Sequence, residues 1–293
     1  MIKTVAALLL ACGPYLLVAQ APVKASPSLH RTYRAGETLV YRMTGVNENW
    51  HYQIQADGIV KQDPGAPFLE EYRWSNLVSD NQKTDLTPGT AAFRQQLTLD
   101  PNRNPSMPDL AHVDPKLIGP ITDFMTFYVD LWLAEKLGVL RKPGDHFYFK
   151  QGTPQSWADG QYVILGQSSI DFDFTWKSVD EASHIATLEI RHVPPEKSQV
   201  TLTADWMHTP VADTPNNWVG VNRTQDGKFH AAVGKETFDV EIKVSLVDGK
   251  ILSGSLDNVV KTAERECTDQ ALTQCSDPKP HVINRKIDII LEQ

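Results

Sequence analysis

Phe238-Asp-Val-Glu-Ile-Lys-Val-Ser-Leu246 decides the class of this fold. Phe238, Val240, Ile242, Val244 and Leu246 fall on one phase of a two-residue repeat, and Asp239, Glu241, Lys243 and Ser245 fall on the other. Successive strand side chains point to opposite faces, so one face belongs to a core and the other to water. Asp248-Gly249 follows, and a second apolar run begins at Ile251, as in a tight antiparallel hairpin. The same alternation extends outward in both directions. Ile170, Phe172, Phe174 and Trp176 alternate with Asp171, Asp173, Thr175 and Lys177, and Leu39, Tyr41 and Met43 alternate with Thr38, Arg42 and Thr44. Trp50, Tyr52, Ile54 and Ala56 alternate with His51, Gln53 and Gln55, and the run stops at Asp57-Gly58, which reads as a hairpin turn. Asp159-Gly160 and Asp226-Gly227 read as further turns. Strands are also expected over 72–77, 93–99, 146–149, 162–165, 184–193, 200–206, 229–233, 251–260 and 283–291, about thirteen in all.

One segment breaks the pattern. Asp114 suits a helix cap, Pro115 or Pro120 suits a first turn, and Leu137-Gly138 ends the run before Pro143-Gly144, so a helix is expected at about 115–138. On a wheel drawn from Ile121, Asp123, Thr126, Asp130 and Ala134 form one stripe. Phe124, Met125, Phe127, Tyr128, Val129, Leu131, Trp132 and Leu133 fill roughly 240° of the remaining circumference. Asp123 and Asp130 exclude a membrane span, and so wide an apolar arc needs covering on several sides. The expected fold is mainly β: a large curved antiparallel sheet, a half-barrel or open barrel, wrapped around one long apolar helix.

Residues 1–25 read as a signal peptide, with Lys3 as the basic region, an apolar run from Val5 to Ala19, and small-residue cleavage sites at Ala19-Gln-Ala21 and, preferred, Val23-Lys-Ala25. Leu9-Leu-Ala-Cys12 has the residue types of a lipoprotein box, but the apolar run continues past Cys12, so cleavage after Ala25 is the expectation. The protein is then periplasmic or secreted, without a transmembrane segment once the signal is removed. Removing Lys3 and Lys24 takes 28 basic residues to 26 against 36 acidic ones, a net charge of −10. No basic cluster exists to neutralise phosphates, which argues against a nucleic-acid partner. Residues 26–293 read as a single β-rich domain, with the Pro-rich stretch 100–115 the nearest approach to a boundary. Losing Cys12 leaves Cys267 and Cys275, which are expected to form a structural disulfide contributing roughly 2–3 kcal/mol.

Motifs for nucleophile elbows, phosphate loops, dinucleotide folds and metal-binding helices are absent from the sequence. Asp100-Pro-Asn-Arg-Asn104 begins like a calcium loop, but Pro105 stands where the turn needs Gly and Ala111 where a bidentate Glu should close the site. No metal site and no cofactor are expected. Asp171 and Asp173 share a strand face and could pair for acid/base hydrolysis, but the next strand offers Arg191 and Glu189 for ordinary cross-strand pairing. His146, His184, His192, His208, His230 and His281 are scattered; His184 and His192 fall on the apolar phase of one strand, as a cavity-lining or satisfied core histidine does. Trp50, Trp74, Trp176 and Trp206 sit on apolar strand phases, leaving Trp157 and Trp218 as the candidate sugar-stacking platforms.

Tyr33-Arg-Ala-Gly-Glu-Thr-Leu-Val-Tyr41 resembles the opening of exported bacterial proteins that begin with a Gly-Glu-x-Leu-x-Tyr strand, some of them similar in architecture to the LolA/LppX-type half-barrel. That resemblance implies a curved sheet around helical segments whose concave side accepts lipid. It carries over no functional residue. The leading expectation is a non-catalytic binding module or carrier for a lipid-like apolar or amphipathic ligand held between sheet and helix, with Phe124, Met125, Tyr128 and Trp132 lining the groove. The alternatives are a secreted glycan-active hydrolase or carbohydrate-binding protein, and a structural envelope protein. Open space around Tyr128 and Trp132 favours carriage, and a filled core there favours scaffolding.

Overall fold

The computed structural model describes residues 28–156 and 163–292; the expected signal segment, Cys12, Trp157 and the Asp159-Gly160 turn lie outside the described residues. Fourteen strands form one antiparallel sheet. From one edge its order runs through β4 (Gln82–Lys83), β3 (Leu69–Ser79), β2 (Trp50–Lys61), β1 (Thr38–Asn47), β14 (Lys279–Glu292), β13 (Ile251–Cys267), β12 (Phe229–Ser245), β10 (Ile185–Val193), β9 (Asp171–Asp180) and β6 (His146–Phe149). β5 (Gln95–Leu97) pairs with β3, while β11 (Trp218–Arg223) pairs with β12 and leads on to β8 (Val163–Ser168) and β7 (Gln155–Ser156).

The sheet therefore forks along β12. Its first half, Phe229 to Gly234, pairs with β11, and its last half, Phe238 to Ser245, pairs with β10, while β13 runs beside both. A fork interrupts the ladder, and the freed backbone groups need other partners. Asn217, fully buried just before β11, supplies them: its Oδ1 accepts from Glu236 N at 2.8 Å, and its Nδ2 donates to the carbonyls of Glu236 and Ser169 at 3.2 and 3.0 Å. Asn258 Nδ2 donates to the Thr237 carbonyl at 3.0 Å on the other side.

Turn chemistry holds at two of the expected places. Asp226-Gly227 joins β11 to β12 and Asp248-Gly249 joins β12 to β13, with φ of +81° and +70° at the glycines. Asp57-Gly58 is a correction: it lies inside β2, and the β1–β2 turn is at Glu48-Asn49. Gly58 answers packing there, because a Cβ would come within 2.3 Å of the Tyr72 ring. The strand expected at 200–206 is also corrected to irregular chain ending in a 3₁₀ turn at Asp205–His208. Its Thr201 N–H is satisfied by Gln167 Oε1 at 2.7 Å instead of by a ladder. The runs 229–233 and 238–246 merge into the single strand β12.

The long helix α2 spans Pro115–Leu137, capped by Asp114, whose carboxylate accepts from Lys116 N, and closed by Gly138 in the left-handed region. It is neither alone nor wholly apolar. A short helix, Pro88–Ala92, precedes it, and Asp123 and Asp130 of α2 are only 3 % and 0 % exposed. Both acids face the sheet, where Arg285 of β14 and His192 of β10 receive them. Next to them Phe124 packs edge-on against Tyr41, Tyr72 and Trp74, and Phe127 sits over Gly254 of β13, where a Cβ would come within 2.6 Å of its ring. Among the described residues no helix is long and apolar enough to cross a membrane.

The main core lies between α2 and the sheet, and a smaller cluster around Met207, Val219, Ala231, Val233 and Cys267 fills the space under the β11 branch of the fork. Cys267 is bonded to Cys275 and buried in that second cluster.

Candidate functional site

Helix α2 carries a buried polar group toward each end, and comparing them shows where a ligand could enter. Near its C-terminal half, Glu70 of β3 is 1 % exposed and fully matched. Its Oε1 accepts from Arg31 Nε at 3.0 Å, and its Oε2 accepts from Tyr128 Oη at 2.6 Å and Tyr72 Oη at 2.9 Å. Arg31 also donates to Glu37 and to the Thr32 carbonyl, both at 2.6 Å. Burial and the Glu70 charge push the Tyr72 and Tyr128 hydroxyls well above their ordinary range. With its partners complete, this cluster fastens the segment before β1 to the sheet.

Three of the four residues expected to line a groove belong to this filled region. Phe124 and Tyr128 are within the aromatic core, and Trp132 donates from Nε1 to the Asp100 carbonyl at 3.1 Å with the Lys136 ammonium 4.4 Å from its ring. Met125, half-buried on the adjoining face of α2, lines open space.

That space is a cavity of about 490 Å³ between the N-terminal half of α2 and the fork of the sheet. Its walls include Ile118, Met125, Val260 and Ile283, and its polar floor is Asp123, His192, Glu236, Asn258 and Arg285. The strand register builds this floor, since Asn258 stands opposite Phe238 on β12 and opposite Arg285 on β14. Arg285 Nε donates to Asn258 Oδ1 at 2.8 Å, its Nη1 lies 3.4 Å from Asp123 Oδ1, and Asn258 Nδ2 donates to Glu236 Oε1 at 3.3 Å. His192 Nε2 is 2.9 Å from both oxygens of Asp130. Glu48 and His281, 2.6 Å apart, stand at the rim with exposed Met107.

Burial pushes the Glu236 carboxyl up to about 7, against the pull of Arg285, the Asn258 hydrogen bond and His192, and with a further upward push from Asp123. Burial likewise raises Asp123, opposed by Arg285. A carboxyl whose folded value lies above its ordinary 4.5 holds a proton in the folded state that the unfolded chain has released. The protein therefore loses stability as pH rises from about 4.5 through about 7, by roughly 3 kcal/mol for a shift of this size. Glu236→Gln is expected to flatten that slope and to be more stable than the unaltered protein above neutral pH, read as urea midpoints across a pH series. Equal slopes in the two proteins would show that Glu236 is already ionised in the fold.

The remaining candidates are occupied elsewhere. Asp173 accepts from Arg191 Nη2 at 2.6 Å across the expected register and also meets His146, while Asp171 accepts from Tyr148 Oη at 2.8 Å and Gln151 N at 3.1 Å. Neither carboxylate opens onto the cavity. His184 is exposed at a turn, whereas His192 is the buried, bonded histidine. Asp100 caps its own turn through Asn102 N at 2.8 Å. Trp218 lines the cavity, and Trp206 packs in the second core cluster. Among the described residues no group of three or more His, Cys, Asp and Glu side chains is placed to hold a metal ion.

Asp123, Glu236, Asn258 and Arg285 are the residues sequence reasoning left unassigned. Comparison with family models, curated proteins and solved structures finds no match.

Proposed function

We propose that the protein is a non-catalytic binding module or carrier that holds a small amphipathic, lipid-like ligand in the cavity between α2 and the forked sheet, with the ligand's polar end on the floor. The carrying observation is a cavity of about 490 Å³ that combines an apolar wall with buried carboxylates having few partners. Ligand sites are typically of this size, mostly apolar, with a few placed polar groups. In this reading the sheet is a half-barrel of the LolA/LppX kind, filled by the C-terminal half of α2 and open beside its N-terminal half. Action outside the cytoplasm fits the Cys267–Cys275 disulfide, since such bonds persist in oxidising compartments.

Extracting the protein purified from its native source and analysing the extract by mass spectrometry is expected to return a stoichiometric amphipathic compound. Met125→Trp, which places a large ring in the cavity without touching the Phe124 core, is expected to lower uptake of a fluorescent fatty-chain probe at least about tenfold with an unchanged unfolding midpoint. Unaltered uptake places the ligand elsewhere, and no ligand by either route leaves the structural-envelope role. Trp218 on the cavity wall supports a second reading, a carbohydrate site. A glycan array bound by the protein and lost on Trp218→Ala selects it.

A further inference from the structure

The charge and the hydrogen-bonding state of the cavity floor define the head group that fits it. Asp123 and Glu236 are 3 % and 7 % exposed, and each has one oxygen engaged, Asp123 Oδ1 by Arg285 and Glu236 Oε1 by Asn258. Among the described residues no donor reaches Asp123 Oδ2 or Glu236 Oε2, although both side chains line the cavity. Neither oxygen is sealed from the cavity, so both stand open to it as acceptors, and a ligand that brings N–H groups can supply the donors that the protein does not.

Charge points the same way. Among the described residues Arg285 is the one arginine or lysine that lines the cavity; it pairs with Asp123 of α2 at 3.4 Å and reaches Glu236 of β12 only through its charge and through Asn258. His192 adds nothing free, because both Asp130 oxygens are within 2.9 Å of its Nε2. With Asp123 and Glu236 ionised, the floor carries an uncompensated negative charge. Phe238 and Trp218 line the same space, and aromatic rings attract ammonium groups. A primary ammonium carries one positive charge and three donors, which matches two open carboxylate oxygens and leaves one donor for Asn258 or water.

We infer that the cavity binds a primary amine bearing an apolar chain, its ammonium seated between Asp123 and Glu236 and its chain lying against Ile118, Met125, Val260 and Ile283. This rests on the binding-module reading above and specifies its ligand class.

Dodecylamine, dodecanol and dodecanoate, compared by calorimetry at submicellar concentration, separate the two claims because they share a chain and differ in head group. At about pH 8 the amine is expected to bind at least about tenfold more tightly than the alcohol, and dodecanoate most weakly. Toward about pH 5.5 the advantage of the amine should shrink as Glu236 takes up its proton. Glu236 is faced by Asn258 of β13, Arg285 of β14, His192 of β10, Asp123 of α2 and Asn217. Glu236→Gln leaves His192 in place, so the part of the pH dependence it removes belongs to Glu236 itself. That variant is expected to cut amine affinity about tenfold and leave alcohol affinity unchanged. If it fails to fold, Asp123→Asn and the pH series on the unaltered protein decide. Equal binding of amine and alcohol at every pH overturns the inference and keeps the cavity reading. Tightest binding of dodecanoate overturns it and makes Arg285 the anchor. Binding of none of the three removes both claims.

Discussion

Arg31→Met is expected to destabilise the protein by about 3–5 kcal/mol, the range found when one partner of a buried ion pair is removed. Arg31 is 2 % exposed and Glu70 is 1 % exposed, so water cannot take the place of the lost guanidinium. Glu70 would keep its two tyrosine donors but lose its countercharge inside an aromatic shell. The damage extends to the chain before β1, because Arg31 also binds Glu37, and Thr32 N donates to the Asp248 carbonyl at the β12–β13 turn. Urea unfolding at neutral pH measures the loss. The double variant Arg31→Met/Glu70→Gln should recover much of it, since a neutral amide can use the Tyr72 and Tyr128 hydroxyls without needing a countercharge. A single-variant loss below about 1 kcal/mol would mean the pair is as weak as a solvent-screened surface bridge.

Phe124→Ala is expected to cost about 3–5 kcal/mol, the usual range for truncating a buried aromatic ring. The ring is fully buried, with the centroids of Tyr72, Tyr41, Trp74 and Tyr128 at 5.1, 5.3, 5.4 and 5.5 Å, so removing it opens a void on four sides. The neighbouring Met125→Ala should cost about 1 kcal/mol or less, because Met125 is half-buried beside space that already exists. The contrast between adjacent residues locates the border between core and cavity. Calorimetric or denaturant midpoints read the stability, and probe uptake by the folded fraction reads the site. Loss of uptake at full stability in Phe124→Ala would return the groove to the face of α2 expected from the sequence.

The floor residues were legible as misfits before they were legible as a site. Glu236 continues the apolar phase of Phe238, Val240 and Ile242; Asn258 interrupts that of Leu256 and Val260; Arg285 interrupts that of Ile283 and Ile287. A polar residue on the core phase of a strand is a signal that single-strand reading can detect. Asp123 gave a similar signal on α2, where the stripe it shares with Asp130 faces inward and not toward solvent. Of the four α2 residues expected to line a groove, Phe124, Tyr128 and Trp132 fill the core and Met125 reaches the cavity, because apolarity marks a filled core as readily as a ligand wall. Asp57-Gly58 shows the same limit for turns, since a glycine can serve a ring that approaches from another strand as well as a bend in its own.

What the sequence by itself determined is local in the chain: the alternation of β1, β9, β12 and β13, the caps of α2 at Asp114 and Gly138, the two hairpins at Asp226-Gly227 and Asp248-Gly249, and the pairing of Cys267 with Cys275. These depend on sterics and periodicity over a few residues, so the local order of residue types is sufficient. Only the tertiary structure decided that β12 forks at Glu236, that Asn258 stands between Phe238 and Arg285, and that α2 brings Asp123 over that point. Asp123 on the helix is more than a hundred residues before Glu236, and Arg285 follows two strands later, so no local pattern relates them. Register and helix placement follow from burying the whole apolar surface at once, and the cavity is the space that this global packing leaves open.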